Sequence, residues 1–128
     1  MGTSYALLAY FQAEPGGEKI RDLLRRAGAG NVTLALSLIN LGETLYIVAR
    51  RLGDEAAEET VRDILRLPIQ MGDVSMERVL AAAHVKAHHA ISFADSFAVS
   101  LANELSATVV TGDPEFEKVK DVVPLMWV

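Results

Sequence analysis

The chain of 128 residues contains no cysteine, which excludes disulfides and thiolate chemistry alike. It also lacks any apolar run near the ~18 residues that a membrane span requires, because charges or turn residues interrupt every long one. No basic segment followed by an apolar stretch opens the sequence, so no secretory signal is read and a cytoplasmic location is expected. Basic charge is in short supply as well. Twelve Lys and Arg face 17 Asp and Glu, for a net charge of −5. That balance argues against a protein that holds nucleic acid by general electrostatic attraction. It leaves a nuclease possible, since carboxylates awaiting a divalent metal make a chain look more acidic than the working enzyme.

Apolar residues make up 51% of the chain, ample for a core, and the length suits one domain over residues 1–128. No repeat, linker or low-complexity segment divides it. Tyr5 to Ala13 has helical spacing in Leu7, Leu8 and Phe11, and Pro15-Gly16-Gly17 breaks it. Glu18 to Ala27 reads as an amphipathic helix, with Ile20, Leu23 and Leu24 on one side and Arg21, Arg25 and Arg26 on the other. Val32 to Leu36 is a short buried strand. Ser37 caps a helix to about Leu52, and Asp54 caps the next, which Pro68 follows. Ile69 to Met71 is a second strand, and a helix runs from Ser75 to about His88. Ser92-Phe93-Ala94-Asp95 has capping-box spacing and opens a helix to about Leu105. Thr108 to Thr111 and Leu125 to Val128 are the remaining strands. Short apolar strands alternating with helices predict an α/β domain with a mostly parallel sheet covered on both faces. Its site is expected outside the carboxyl ends of the strands.

Three carboxylates stand where charge is otherwise absent. Glu43 is the only charge between Ala27 and Ala49, beside Ile39, Tyr46 and Ile47 on a helical wheel, with Leu41, Leu45, Val48 and Leu52 opposite. A helix apolar nearly all round predicts burial, and buried charge is costly unless paired or metal-bound. A seam position, or an arginine partner, would also account for it. Asp95 is the only charge between His89 and Glu104; completing the capping box is its structural alternative. Asp113 follows the strand Thr108–Thr111 across a glycine, where a turn residue before proline is common. A doubly wound fold can bring all three to one rim of the sheet. Such a cleft, without cysteine or suitably spaced histidine, suits Mg²⁺ or Mn²⁺, which would activate water and neutralise charge on a phosphodiester.

Other candidates carry less. His84, His88 and His89 lack a His-Glu-x-x-His frame and are read as surface or helix-end residues. Gly28-Ala29-Gly30 follows a helix rather than a strand, unlike a phosphate-cradling loop. Arg21, Arg25, Arg26, Arg50 and Arg51 suit either RNA backbone contacts or solvated helix faces.

Ser4-Tyr5-Ala6-Leu7-Leu8-Ala9-Tyr10-Phe11 followed by Glu14-Pro15-Gly16-Gly17-Glu18 resembles the opening of VapC-type toxins of the PIN-domain family. Asn40-Leu41-Gly42-Glu43-Thr44-Leu45-Tyr46 resembles their second motif, Ser92-Phe93-Ala94-Asp95-Ser96-Phe97 the third, and Val110-Thr111-Gly112-Asp113-Pro114-Glu115-Phe116 the fourth. The order and spacing agree over nearly the whole chain. The resemblance implies a three-layer α/β/α PIN-like domain and a metal-dependent endoribonuclease. Glu43, Asp95 and Asp113 would hold Mg²⁺ or Mn²⁺, with Thr111 orienting a ligand or water. It further implies an RNA substrate, a cognate antitoxin and a homodimer. One departure stands out: the family's first aspartate, at the end of its first strand, falls on Thr3, or on Gly2 if one residue is inserted. Only two or three residues of that strand would then precede Ser4. The alternative function is a catalytically impaired PIN-like module that binds antitoxin or RNA without cutting; a small-molecule-binding α/β protein has little motif support.

Overall fold

A computed structural model describes residues 4–9 and 17–128. Its elements are β1 (Ser4–Leu8), α1 (Gly17–Gly28), β2 (Val32–Ser37), α2 (Leu38–Leu52), α3 (Asp54–Leu65), β3 (Ile69–Gly72), α4 (Met76–His88), α5 (Phe93–Leu105), β4 (Thr108–Thr111) and β5 (Leu125–Trp127). A 3-10 helix, Pro114–Val119, joins the last two strands. The sheet runs β3-β2-β1-β4-β5, and every neighbouring pair is parallel. This is an α/β domain with helices on both faces of a short parallel sheet, as expected.

The strands show why both faces must be covered. Leu7, Ala9, Ala35 and Val109 point into one core with Val99, Leu101 and Phe116. Ala6, Leu8, Leu34, Leu36 and Val110 point into the other with Leu23 of α1 and Ile64 of α3. A strand buried on both faces reads as a continuous apolar run.

That run misled the sequence reading of the amino-terminal segment. Tyr5–Leu8, expected as the start of a helix, is strand, held between β2 and β4 in the middle of the sheet. The first strand among the described residues is therefore Ser4–Leu8, and the strand remnant expected before Ser4 lies outside them. Periodicity cannot separate a short buried strand from a buried helical turn, and pairing on both edges decides for strand. The rest of the predicted helix, from Tyr10 to Ala13, lies outside the described residues, as do Gly2 and Thr3.

Helix α2 differs too. Ser37 caps it as expected, its Oγ accepting from the Ile39 N–H at 3.2 Å. Its buried side chains, however, are the polar Asn40 and Thr44, while Leu45, Tyr46 and Leu52 are exposed. The helix packs against α3 and α5 at the edge of the domain rather than inside it. Glu43 is accordingly only partly buried. Gly53, with φ of 97°, ends α2 and caps α3, a backbone conformation that favours glycine. Asp54, expected as the cap, is an acid of the first turn instead.

From β1 the chain steps outward to β2 and β3 on one side, while β4 and β5 lie on the other. The order reverses between β1 and β4. In open α/β sheets ligands bind outside the carboxyl ends of the strands at such a point.

Candidate functional site

A cleft of about 570 Å³ opens there, within the usual range for ligand sites. Glu43 from α2, Asp95 from the first turn of α5, and Thr111 and Asp113 from the end of β4 all line it. Ile20 of α1 and Val128, after β5, close its sides, so segments far apart in sequence meet at one rim.

Each acid is placed by a local device. The Asp95 N–H donates to Ser92 Oγ at 3.0 Å, so this residue takes part in the cap and lines the cleft as well. Asp113 is the cap of the 3-10 helix: its Oδ1 accepts from the Glu115 N–H at 2.9 Å, and its own N–H donates to Thr111 Oγ1 at 3.0 Å. The buried Thr111 hydroxyl thereby fixes the turn that carries the acid. Glu43 rests beside Asn40, which is fully buried. The Asn40 amide donates through Nδ2 to the Ala94 carbonyl at 3.1 Å, tying α2 to the turn that bears Asp95. Its Oδ1 has no partner among the described residues. Turning the amide over would set oxygen against the Ala94 carbonyl, so that bond fixes its orientation.

The electrostatics are those of uncompensated acids. Partial burial pushes the Glu43 carboxyl above its ordinary range; Asp95 and Asp113 add to this, and the hydrogen bond from Asn40 opposes it. Asp95 is pushed up as well, first by burial and then by Asp113 and Glu115, against the hydrogen bond with Ser92. Desolvation and like charge both disfavour the ionised form. Carboxylate oxygens of this kind match a hard divalent cation in donor chemistry. Their spacing is looser than a closed cage, since among the described residues no three His, Cys, Asp or Glu side chains stand close enough to hold one ion. Water would have to complete the coordination.

The sequence reading gave no role to Glu115 or Asn40, and left Arg51 as one of five arginines suited either to RNA backbone or to a solvated helix face. Glu115 adds a fourth carboxylate to the cleft, and Arg51 is the one basic side chain among the described residues that line it. Asn40 was legible as an odd residue, a poor helix former three places before the isolated Glu43. His84 and His88 lie outside the cleft lining, their rings 4.6 Å apart on exposed helix surface. Arg25 and Arg26 are turned to Asp22 within α1.

The amino end of β1 is remote from this rim, because Ser4 pairs with Val32 at the start of β2. Thr3 and Gly2, the positions matched to the missing aspartate, lie outside the described residues. At the carboxyl end of β1 the described residues are Leu8 and the fully buried Ala9, whose N–H donates to the Val110 carbonyl at 3.1 Å. Neither supplies an acid.

Fold and rim together define an α/β domain with a carboxylate-lined cleft at the switch point of a parallel sheet. The PIN-domain family model matches residues 4–122, and the chain belongs to that family. A comparison with curated protein sequences gives no match. Among solved structures, the chain resembles the DNA-bound VapBC of Salmonella typhimurium with a TM-score of 0.74 at 18% identity, covering 97% of each chain. It resembles VapBC2 of Rickettsia felis, bound to a promoter DNA fragment, with a TM-score of 0.70 at 21% identity, over 95% of this chain and 97% of that one. VapC20 of Mycobacterium tuberculosis, a toxin that cleaves the sarcin-ricin loop, follows at 0.68 and 19%, over 89% and 93%. At these identities the likeness concerns the fold.

Proposed function

We propose that the chain is a metal-dependent endoribonuclease of the VapC toxin class, with Glu43, Asp95 and Asp113 as its metal-binding and catalytic acids. The observation that carries this reading is the meeting of three acids from separate segments in one cleft, where burial and neighbouring acids disfavour the ionised forms of Glu43 and Asp95. A cluster so arranged costs stability unless a cation offsets it. Mg²⁺ or Mn²⁺ bound among them would supply Lewis-acid activation of water and charge neutralisation at the phosphodiester. Asp95 sits in the cap that Ser92 forms, Asp113 is itself a cap, Asn40 ties the helix that carries Glu43 to the turn at Asp95, and Thr111 fixes the turn at Asp113. These side chains line one cleft, and a strand of RNA would enter along its open face. The test is cleavage of labelled RNA in Mn²⁺ by the unmodified chain and by Asp95→Asn. Metal-dependent cutting that the substitution removes supports the reading, and cutting that survives it overturns the assignment.

A cognate antitoxin and a second copy of the chain are proposed partners. Leu45, Tyr46 and Leu52 on α2 and Met76 and Leu80 on α4 expose apolar surface that suits a protein partner. Among the described residues no helix is long and apolar enough to cross a membrane.

One further observation favours the alternative, an impaired module that binds antitoxin or RNA without cutting. No closed three-ligand group forms among the described residues, and the carboxyl end of β1 contributes no acid there. RNA binding without cleavage in Mn²⁺ would select it.

A further inference from the structure

Helix α2 sends three side chains into the cleft at successive turns: Glu43, Ile47 and Arg51. Positions four apart lie on one face of a helix, so acid, apolar residue and base form a stripe along the cleft wall. Glu43 and Arg51 are eight residues apart, or about 12 Å along the axis at ~1.5 Å per residue. Arg51 shares the cleft with four carboxylates, Glu43, Asp95, Asp113 and Glu115. Among the described residues it forms an ion pair with none of them, nor with any other acid. Its guanidinium is exposed and available to an anion, with donors in a fork that fits phosphate.

We propose that Arg51 grips a phosphate of an RNA strand beyond the scissile one, fixing the direction in which the strand lies along α2. Resting on the nuclease reading above, the assignment gives the cleft two ends. The acid end receives the phosphodiester to be cut, and Arg51, two helical turns further along α2, holds a neighbouring phosphate. The carboxylates repel anions from the acid end, and the guanidinium gives a polyanion its favourable contact at the other end.

Arg50 provides a matched control. It occupies the same last turn of α2, is exposed, complements the helix carboxyl terminus equally, and does not line the cleft. The experiment measures binding of a short fluorescent single-stranded RNA to the full chain in EDTA, where no cutting competes, over a range of salt, with a parallel series in Mn²⁺. Arg51→Gln is expected to weaken binding about tenfold, the size of one charge-assisted contact. It should also lower the slope of log affinity against log salt by about 0.7, one phosphate contact on a single strand. Arg50→Gln should change affinity less than about twofold, and Arg51→Lys should recover part of the loss. Equal weakening by Arg50→Gln and Arg51→Gln overturns the proposal while leaving the nuclease reading in place. An unmodified chain that binds no RNA in either series overturns both. An RNA-binding chain that does not cut, yet depends on Arg51, supports the phosphate contact and removes only the catalytic reading.

Discussion

At the junction of α4 and α5, Arg78 gathers two acids; at the cleft, Glu43, Asp95 and Asp113 gather with no ion-pair partner among the described residues. Arg78 Nε and Nη2 donate to the two oxygens of Glu104 at 3.0 and 2.8 Å, and Nη1 donates to Asp73 Oδ1 at 2.7 Å. The hydrogen bond from Arg78 holds the Glu104 carboxyl below its ordinary range, its charge helping and slight burial opposing. Glu43 and Asp95 are displaced the other way by burial and by their neighbours. One cluster is complete within the chain, whereas the other has charge left over. Structural ion pairs also perturb pKa values, so perturbation alone does not mark a site; the direction of the shift and the cleft around it do.

The widest separation between the two clusters should appear in catalysis. Asp95→Asn is expected to reduce cleavage of RNA in Mn²⁺ by at least ~10²-fold, the scale of losing one electrostatic group from an active site. Arg78→Ala should leave it within about twofold. Single-turnover rates on one labelled RNA check this, and similar losses in both variants would erase the distinction.

Next in size is the response to metal. A cation that binds only the folded chain stabilises it by about 2.7 kcal/mol at a hundred times its dissociation constant. Mn²⁺ should therefore raise the Tm by several degrees over EDTA, and Glu43→Gln or Asp95→Asn should diminish that rise. Arg78→Ala should keep it in full. Equal melting in EDTA and in Mn²⁺ would count against a competent site.

Arg78→Ala has a smaller effect of its own. The Arg78 side chain is 25% exposed, but its partners Asp73 and Glu104 are 81% and 46% exposed. Solvent screens such pairs, so a loss of about 1 kcal/mol is expected in chemical denaturation. A much larger loss would mean that the pair also positions the start of α4.

How much of this was legible in the sequence depended on whether local signals carried the information. The caps at Ser37 and Ser92 announced α2 and α5, because a hydroxyl before an apolar run satisfies free amides in any context. The strand at Tyr5–Leu8 was not legible, since only its pairing with β2 and β4 separates it from a helical turn. The exposure of α2 was hidden as well. Its apolar residues outnumber the polar ones, yet tertiary packing buries Asn40 and Thr44. Among the site residues, the isolation of Glu43, Asp95 and Asp113 in apolar segments drew attention to them. Glu115 and Arg51 lie among other charges, and only the fold brings them to the cleft.

The smallest effect tests the comparison by its sign, with metal removed by EDTA. For Glu43 and Asp95, whose folded pKa is raised, the unfolded chain releases its protons at lower pH than the folded chain. Their penalty is absent below the ordinary carboxylate range and grows as pH rises from the unfolded value through the folded one. For Glu104, whose folded pKa is lowered, the contribution is favourable above the unfolded value and is lost as pH falls through the folded one. Glu43→Gln should therefore raise the Tm of the metal-free chain near neutral pH, with the gain fading on acidification. Glu104→Gln should lower the Tm near neutral pH, with the deficit fading in the same direction. Both groups are partly solvated, so the shifts are small, and their opposite signs are the result to read. If Glu43→Gln destabilised the metal-free chain at neutral pH, as Glu104→Gln does, the cleft acids would be structural partners rather than charge held ready for a cation.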